Sequence, residues 1–246
     1  MNKSIEDYES EYRLLPFEHH QAQLRRQEHL AVLADLKPKR IAEIGCGMLP
    51  LFCDYDDFDL MTVVEPVKAF AENASTLRAR HVKASAIRVI PHFLEDVQIE
   101  DEAYDLIFVS GLLHEVPEPR KILEQAIRLG GRECRFLITV PNAYSFHRQL
   151  GYRAGLIEDL TEISAQQLRL QQPRTYTPAS LLDELAMAGL VPELKKTFIF
   201  KPFTHSQMQK ILDAGILSLE QVNVLAGMSD LLPDAGSELL VIAKCK

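Results

Sequence analysis

Glu43, the pair Gly45 and Gly47 around Cys46, Glu65, and the adjacent Glu95-Asp96 are the residues in the first half of this chain whose types and spacing imply chemistry. Two glycines just past a short apolar run leave bare backbone with unrestricted φ, so a ligand can lie directly on the turn. Such a turn, followed about twenty residues later by a carboxylate at a strand end, is where an open parallel sheet grips vicinal hydroxyls. The pattern describes a site for a nucleotide-like ligand. Cys46 reads as a small residue that fits the turn, not as a nucleophile. A second group lies downstream: His114, then Asn142-Ala143-Tyr144-Ser145-Phe146-His147-Arg148, Arg174-Thr175-Tyr176 and Lys201-Pro202-Phe203-Thr204-His205.

These residues must be positioned by strands and helices that the apolar pattern locates. Arg40 to Ile44 reads as the first strand, Leu60 to Val64 as the second and Ile87 to Ile90 as the third. Tyr104 to Gly111 is nearly continuous in apolar residues, as expected of a strand buried on both faces of a parallel sheet. Arg135 to Val140 is the fifth strand. Helices are expected over Ile5 to Leu36, Val67 to Arg80, Pro119 to Leu129, Thr177 to Ala188 and Thr204 to Ala226, with further strands at about Leu194 to Phe200 and at Glu238 to Ala243. Pro50 and the acidic run Asp54 to Asp57 keep any helix after the glycines short. This alternation predicts an α/β fold: a doubly wound, mostly parallel sheet with N-terminal helices and helical insertions after strands 5 and 6.

Composition excludes several classes. With 246 residues and 47% of them apolar, the chain can bury a full core. The formal charge of −8 disfavours a nucleic-acid partner, which needs clustered Lys and Arg. The apolar runs are too short for a membrane span, and the acidic start Met1 to Asp7 is unlike a secretory signal, so a cytoplasmic location is expected. Cys46, Cys53, Cys134 and Cys245 lack metal-type pairing and read as reduced thiols. Asp54, Asp56 and Asp57 lack the glycine and distal glutamate of a calcium loop and read as a solvated turn. No metal site is expected.

The order Glu43-x-Gly45-x-Gly47, Glu65-Pro66, Glu95-Asp96 and Tyr104-Asp105-Leu106-Ile107 resembles class I S-adenosylmethionine-dependent methyltransferases over about Arg40 to Asn142. The resemblance implies S-adenosyl-L-methionine as cofactor and S-adenosyl-L-homocysteine as product. It places the Gly45-Cys46-Gly47 turn against the methionine part and ribose, Glu43 toward the methionine amino group, and Glu65, beside Pro66, on the ribose hydroxyls. Asp96, with Glu95, would meet the adenine amino group, and Ser110 would line the same site. A third glycine, common in that family, is replaced by Leu49. A dinucleotide dehydrogenase is the rival, but Pro50 occupies its third glycine position. One methyltransferase domain spanning 1–246 is expected, divided into an N-terminal helical segment (1–38), a cofactor-binding core (39–142), and substrate-side insertions with the last strands (143–246).

For the acceptor, the sequence lacks the Asn/Asp-Pro-Pro-aromatic motif of base-amino methylation after the fourth strand, and lacks a Pro-Cys pair there. A small molecule or sugar-type acceptor follows by exclusion, with no nucleic acid, no membrane and a homodimer permitted. Val140-Pro141-Asn142 with His147-Arg148 is similar, more loosely, to sugar and natural-product O-methyltransferases. His147 or His114 would then be the general base, with Asn142, Tyr144 and Arg148 placing the substrate. Arg148, Arg174 and Lys201 would hold an anionic acceptor, with His205, and with His19 and His20 as lesser contributors. N- or C-methylation, or a non-catalytic cofactor-binding subunit supporting a partner, are the alternatives.

Overall fold

The apolar runs become the strands of one seven-stranded sheet. The computed structural model describes residues 17–97, 103–164, 167–168 and 172–246. In chain order the strands are β1 (Arg40–Ile44), β2 (Leu60–Val64), β3 (Ile87–Ile90), β4 (Leu106–Ser110), β5 (Arg135–Pro141), β6 (Leu190–Phe198) and β7 (Glu238–Cys245). Their order across the sheet is β3-β2-β1-β4-β5-β7-β6. β1 to β5 pair in parallel, whereas β7 enters antiparallel between β5 and β6. The α-helices are α1 (Glu18–Leu36), α2 (Lys68–Arg80), α3 (Pro119–Gly130), α4 (Phe146–Arg153), α5 (Pro178–Met187), α6 (His205–Asp213) and α7 (Leu219–Gly227).

Alternate residues of each central strand feed two separate cores. Ala42, Ile44, Ile107, Val109, Phe136 and Ile138 face one side, where Leu123 of α3 and Leu181 of α5 cover them. Ile41, Met61, Leu106, Phe108 and Leu137 face the other, under Leu33 of α1 and Ala74 of α2. Each fully buried side chain of this size contributes about 1.5–3 kcal/mol relative to exposure. That double burial is why β4 reads as one apolar run instead of an alternating one.

Two boundaries differ from the sequence expectation. β6 begins at Leu190, not at about Leu194. Pro192 and its charged neighbours conceal an edge strand whose register with β7 shifts between Pro192 and Leu194. The stretch Thr204 to Ala226 is two helices. Gly215, at φ 65°, follows the end of α6, and Ser218 opens α7 with a reciprocal cap to Gln221. The N-terminal helix is described only from Glu18. The expected stretch Ile5 to Pro16, with Leu14 and Leu15, lies outside the described residues.

Strand order reverses between β1 and β4, since β2 and β3 lie to one side and β5 to the other. Ligands of open α/β sheets bind at the carboxyl ends of the strands at such a switch. Because β7 runs backwards, its first residue, Glu238, also reaches this edge, paired with Pro141 and Phe198. No helix among the described residues is long and apolar enough to cross a membrane.

Candidate active site

The turn after β1 is held by the acids expected to serve a ligand. Gly45 has φ 76° and Gly47 φ 56°, values that disfavour any residue with a Cβ. The Glu65 carboxylate accepts from the Cys46 amide at 2.9 Å and the Gly47 amide at 3.0 Å through one oxygen, and from the Val67 amide at 2.9 Å through the other. Burial pushes its pKa up, opposed by those three amides. Glu43 is 2% exposed, and its carboxylate accepts from the Leu51 amide at 2.9 Å. Burial pushes Glu43 up to about 7, against the nearby Arg26 and the Leu51 amide. Burial and the charges of Glu43 and Glu65 push the Cys46 thiol far up, so it is no nucleophile. Arg26 of α1 closes the turn from above by donating to the Leu49 carbonyl.

The remaining expected ligand contacts are more open. Glu95 and Asp96 sit in a 3₁₀ turn, Leu94–Asp96, rather than an irregular loop, and both are exposed. Pro66 follows Glu65 directly, and the Ser110 hydroxyl pairs with that of Thr139 at 2.8 Å. A Cβ built on Gly45 would lie 3.8 Å from Leu112. The segment leading from β4 to His114 therefore rests against the glycine turn.

Beyond this, the edge holds a polar cluster that sequence reading only partly found. His114 is 4% exposed. Burial lowers its pKa to about 4, with Glu238 pulling up and Arg25 pulling down. His147, half-buried at the start of α4, is lowered well below the imidazole range by burial and by Lys201 and Arg148. The Nδ1 atoms of both are buried without a hydrogen-bond partner. Glu238 accepts from Gln21 at 2.8 Å and from Arg25 at 2.7 Å. Gln21 in turn accepts from Lys201 at 2.8 Å and from His205 at 2.7 Å. Because the Glu238 carboxylate only accepts, the Gln21 amide nitrogen must face it. The Gln21 oxygen then faces Lys201 and His205, and His205 donates from Nε2. Burial, Lys201 and His147 keep His205 neutral. Glu18, 7% exposed, adds a second acid beside Arg25 and His205.

Other expected substrate residues are committed elsewhere. Both N–H groups of the Asn142 side chain donate to backbone, to the Asp234 and Gly236 carbonyls, and its oxygen accepts from the Tyr144 amide. Arg148 donates to the Leu160 carbonyl at 2.8 Å and to the Glu162 carbonyl at 2.5 Å. Arg174 donates to the Pro117 carbonyl at 2.7 Å. Arg148, Arg174 and Lys201 therefore do not form one cationic cradle; only Lys201 joins the cluster. Tyr144 is 43% exposed. His19 is exposed, and His20 packs edge-on against Phe17. Gln21, Arg25 and Glu238 were missed. A polar stripe at helical spacing, Glu18, Gln21, Arg25 and His29, was the readable signal, as was an acid opening the apolar run Leu239 to Ala243.

The sheet order, with a reversed strand inserted beside the last parallel one, and the glycine turn at its switch point define a class I methyltransferase fold. Residues 42–138 match a family described as a methyltransferase domain. Among solved structures, a chain of the complex between the Haloferax volcanii Trm112 methyltransferase activator and a methyltransferase superposes with TM-score 0.63 at 12% identity, covering 100% of this chain and 99% of that one. A SAM-dependent methyltransferase from Thermotoga maritima gives TM-score 0.57 at 16% identity, over 91% and 90% of the two chains. Magnesium protoporphyrin IX methyltransferase from Synechocystis PCC 6803, solved with bound S-adenosyl-L-homocysteine, gives 0.56 at 12% identity, over 92% and 84%. No curated protein matches in sequence. The S-adenosyl-L-homocysteine in the Synechocystis protein is the demethylated form of S-adenosyl-L-methionine, the cofactor that the sequence resemblance implies here.

The residues fit that cofactor. Nothing lies within 4 Å of a Cβ built on Gly47, so the turn is open to a ligand. Glu43, costly to ionise where it lies, is suited to an ammonium group. Glu65 reaches the turn from the end of β2.

Proposed function

We propose that the chain is a methyltransferase enzyme that transfers a methyl group to an oxygen of a small polar acceptor, such as a sugar or natural-product precursor, with His114 or His147 taking the proton. The cofactor supplies a methyl already activated on a sulfonium, so alignment does most of the catalysis. The observation that carries the reading is the pair of neutral imidazoles whose Nδ1 atoms are buried and unpartnered, one of them on the segment packed against the glycine turn.

Both imidazoles are weaker bases than free histidine. That suffices, because a hydroxyl becomes strongly acidic as its oxygen gains the methyl, and the proton then moves downhill even to a weak base. Asn142 would act indirectly, by fixing the Tyr144 backbone. The segments 1–38, 39–142 and 143–246 would work as one domain.

The test is single-turnover methyl transfer across an acceptor panel with wild type, His114→Ala and His147→Ala. One variant should lose about 10²–10⁴-fold in turnover, with S-adenosyl-L-homocysteine affinity within a few-fold of wild type. Unchanged turnover in both rejects the histidine base. Cofactor binding without transfer to any acceptor would turn the reading toward a subunit that supports a partner.

A further inference from the structure

Among the described residues, Lys201 is a buried cation with no carboxylate in direct contact. It follows β6 at the carboxyl edge of the sheet and is 5% exposed. Its ammonium carries three N–H donors, yet one acceptor, the neutral Gln21 amide oxygen at 2.8 Å, takes a hydrogen bond from it. Among the described residues no carboxylate forms an ion pair with it. Glu238 is engaged by Gln21 and Arg25, and Glu18 contacts Arg25 and His205. Lysine is almost never buried unpaired, because an uncompensated charge costs several kcal/mol.

Further unsatisfied polar atoms lie on the neighbouring element. Phe146 and Phe200 pack ring on ring at 5.0 Å, bringing the start of α4 beside the chain that carries Lys201. There His147 Nδ1 and the Ser145 hydroxyl are buried and unpartnered. The Lys201 charge, after burial, helps to keep His147 neutral. Among the described residues two of the three Lys201 N–H donors therefore have no acceptor, and the polar atoms beside them are themselves unpartnered.

We propose that Lys201 seats an anionic oxygen group of the methyl acceptor, a carboxylate or a phosphate, with His147 beside it and Gln21 holding the ammonium in place. The proposal rests on the methyltransferase reading for the word acceptor, but not for the anion site itself. Gln21 is a positioning residue, its amide orientation set by Glu238.

The proposal has a protonation signature. Burial pushes Lys201 down to about 8; Glu18 and Glu238 pull it up and Arg25 pulls it down. The charged and titratable groups around it are Glu18 and Arg25 of α1, His147 of α4, His205 of α6 and Glu238 of β7. At pH 9 the free protein holds Lys201 largely neutral. A bound anion restores the ammonium, so binding there takes up nearly one proton, and at pH 6.5 almost none.

The experiment is isothermal calorimetry at pH 6.5 and 9, each in two buffers of different ionisation enthalpy, with and without saturating S-adenosyl-L-homocysteine. The probes are sodium acetate and inorganic phosphate, with acetamide as the neutral counterpart of acetate. Wild type should bind one anion at least tenfold better than acetamide, with proton uptake at pH 9; the tighter of the two identifies the group. Lys201→Arg should keep binding and lose the uptake, because arginine does not titrate there. Lys201→Met should lose binding at least tenfold. Acetamide binding as well as acetate, or uptake that persists in Lys201→Arg, overturns the proposal. If S-adenosyl-L-homocysteine itself fails to bind, the methyltransferase reading falls, and the anion titrations without it still decide the role of Lys201.

Discussion

Replacing Glu43 by glutamine should strengthen the fold and weaken cofactor binding in the same protein. The carboxyl has an ordinary value of 4.5 and is raised to about 7 by burial, which outweighs Arg26 and the Leu51 amide. A group raised on folding contributes stability that is present in full below its unfolded value and is lost as pH climbs through the folded one. Across pH 4.5 to 7 the wild type should therefore lose about 3 kcal/mol on this account, at 1.36 kcal/mol per pKa unit. Glutamine keeps an oxygen for the Leu51 amide but cannot ionise. The variant should match wild type near pH 4.5 and exceed it by about 3 kcal/mol at pH 8, or roughly 6–12 °C in Tm for a chain of this size. Thermal melts at pH 4.5, 6 and 8 measure this directly. The cofactor ammonium would meanwhile lose a charge-assisted partner worth about 1.5–3 kcal/mol, raising the Kd for S-adenosyl-L-homocysteine by roughly 10- to 100-fold. A Tm difference that stays constant with pH would refute the argument, because it would mean that Glu43 is not ionised at a cost within the folded site.

Two other residues give independent tests. Glu65→Ala strips the acceptor from the Cys46, Gly47 and Val67 amides, a loss of about 3 kcal/mol at about 1 kcal/mol per bond. Melts should show it without any cofactor present, and Glu65→Gln, which keeps one oxygen, should fall between the two. Arg25→Met leaves the buried Glu238 carboxylate with the neutral Gln21 as its direct hydrogen-bond partner, and should cost about 3–5 kcal/mol in urea unfolding. Burial alone would raise Glu238, but Arg25 and Gln21 outweigh it and hold the carboxyl below its usual range. The double variant Arg25→Met with Glu238→Leu should recover most of the loss, because no charge is then stranded.

How much of this was legible in the sequence follows from what each feature demands locally. The glycine turn was readable because positive φ at Gly45 and Gly47 writes its requirement into the residue type itself. β1 to β5 were readable because burial on both faces leaves little room for polar residues. β6 was misplaced because an edge strand carries exposed Glu193 and Lys195 and tolerates Pro192. The polar cluster was hardest. Lys201 and Gln21 are 180 positions apart, and Gln21 and Glu238 are 217 apart. Each residue looks like ordinary surface polarity until the topology places α1 across the start of β7.

The two halves of the site use their acids differently, and this bears on how a cofactor enters. A carboxylate offers about four lone-pair positions, and in Glu65 three already hold the turn. Two ribose hydroxyls cannot both be accepted without sharing or displacing one of those amides. The Val67 bond is the one that can yield, because Cys46 and Gly47 share the other oxygen and together fix the glycine turn. Cofactor binding should therefore loosen the entry to α2 while leaving the turn intact. Amide exchange at Val67 should rise on adding S-adenosyl-L-homocysteine while exchange at Cys46 falls. Equal protection of both amides would mean that the hydroxyls are bound elsewhere.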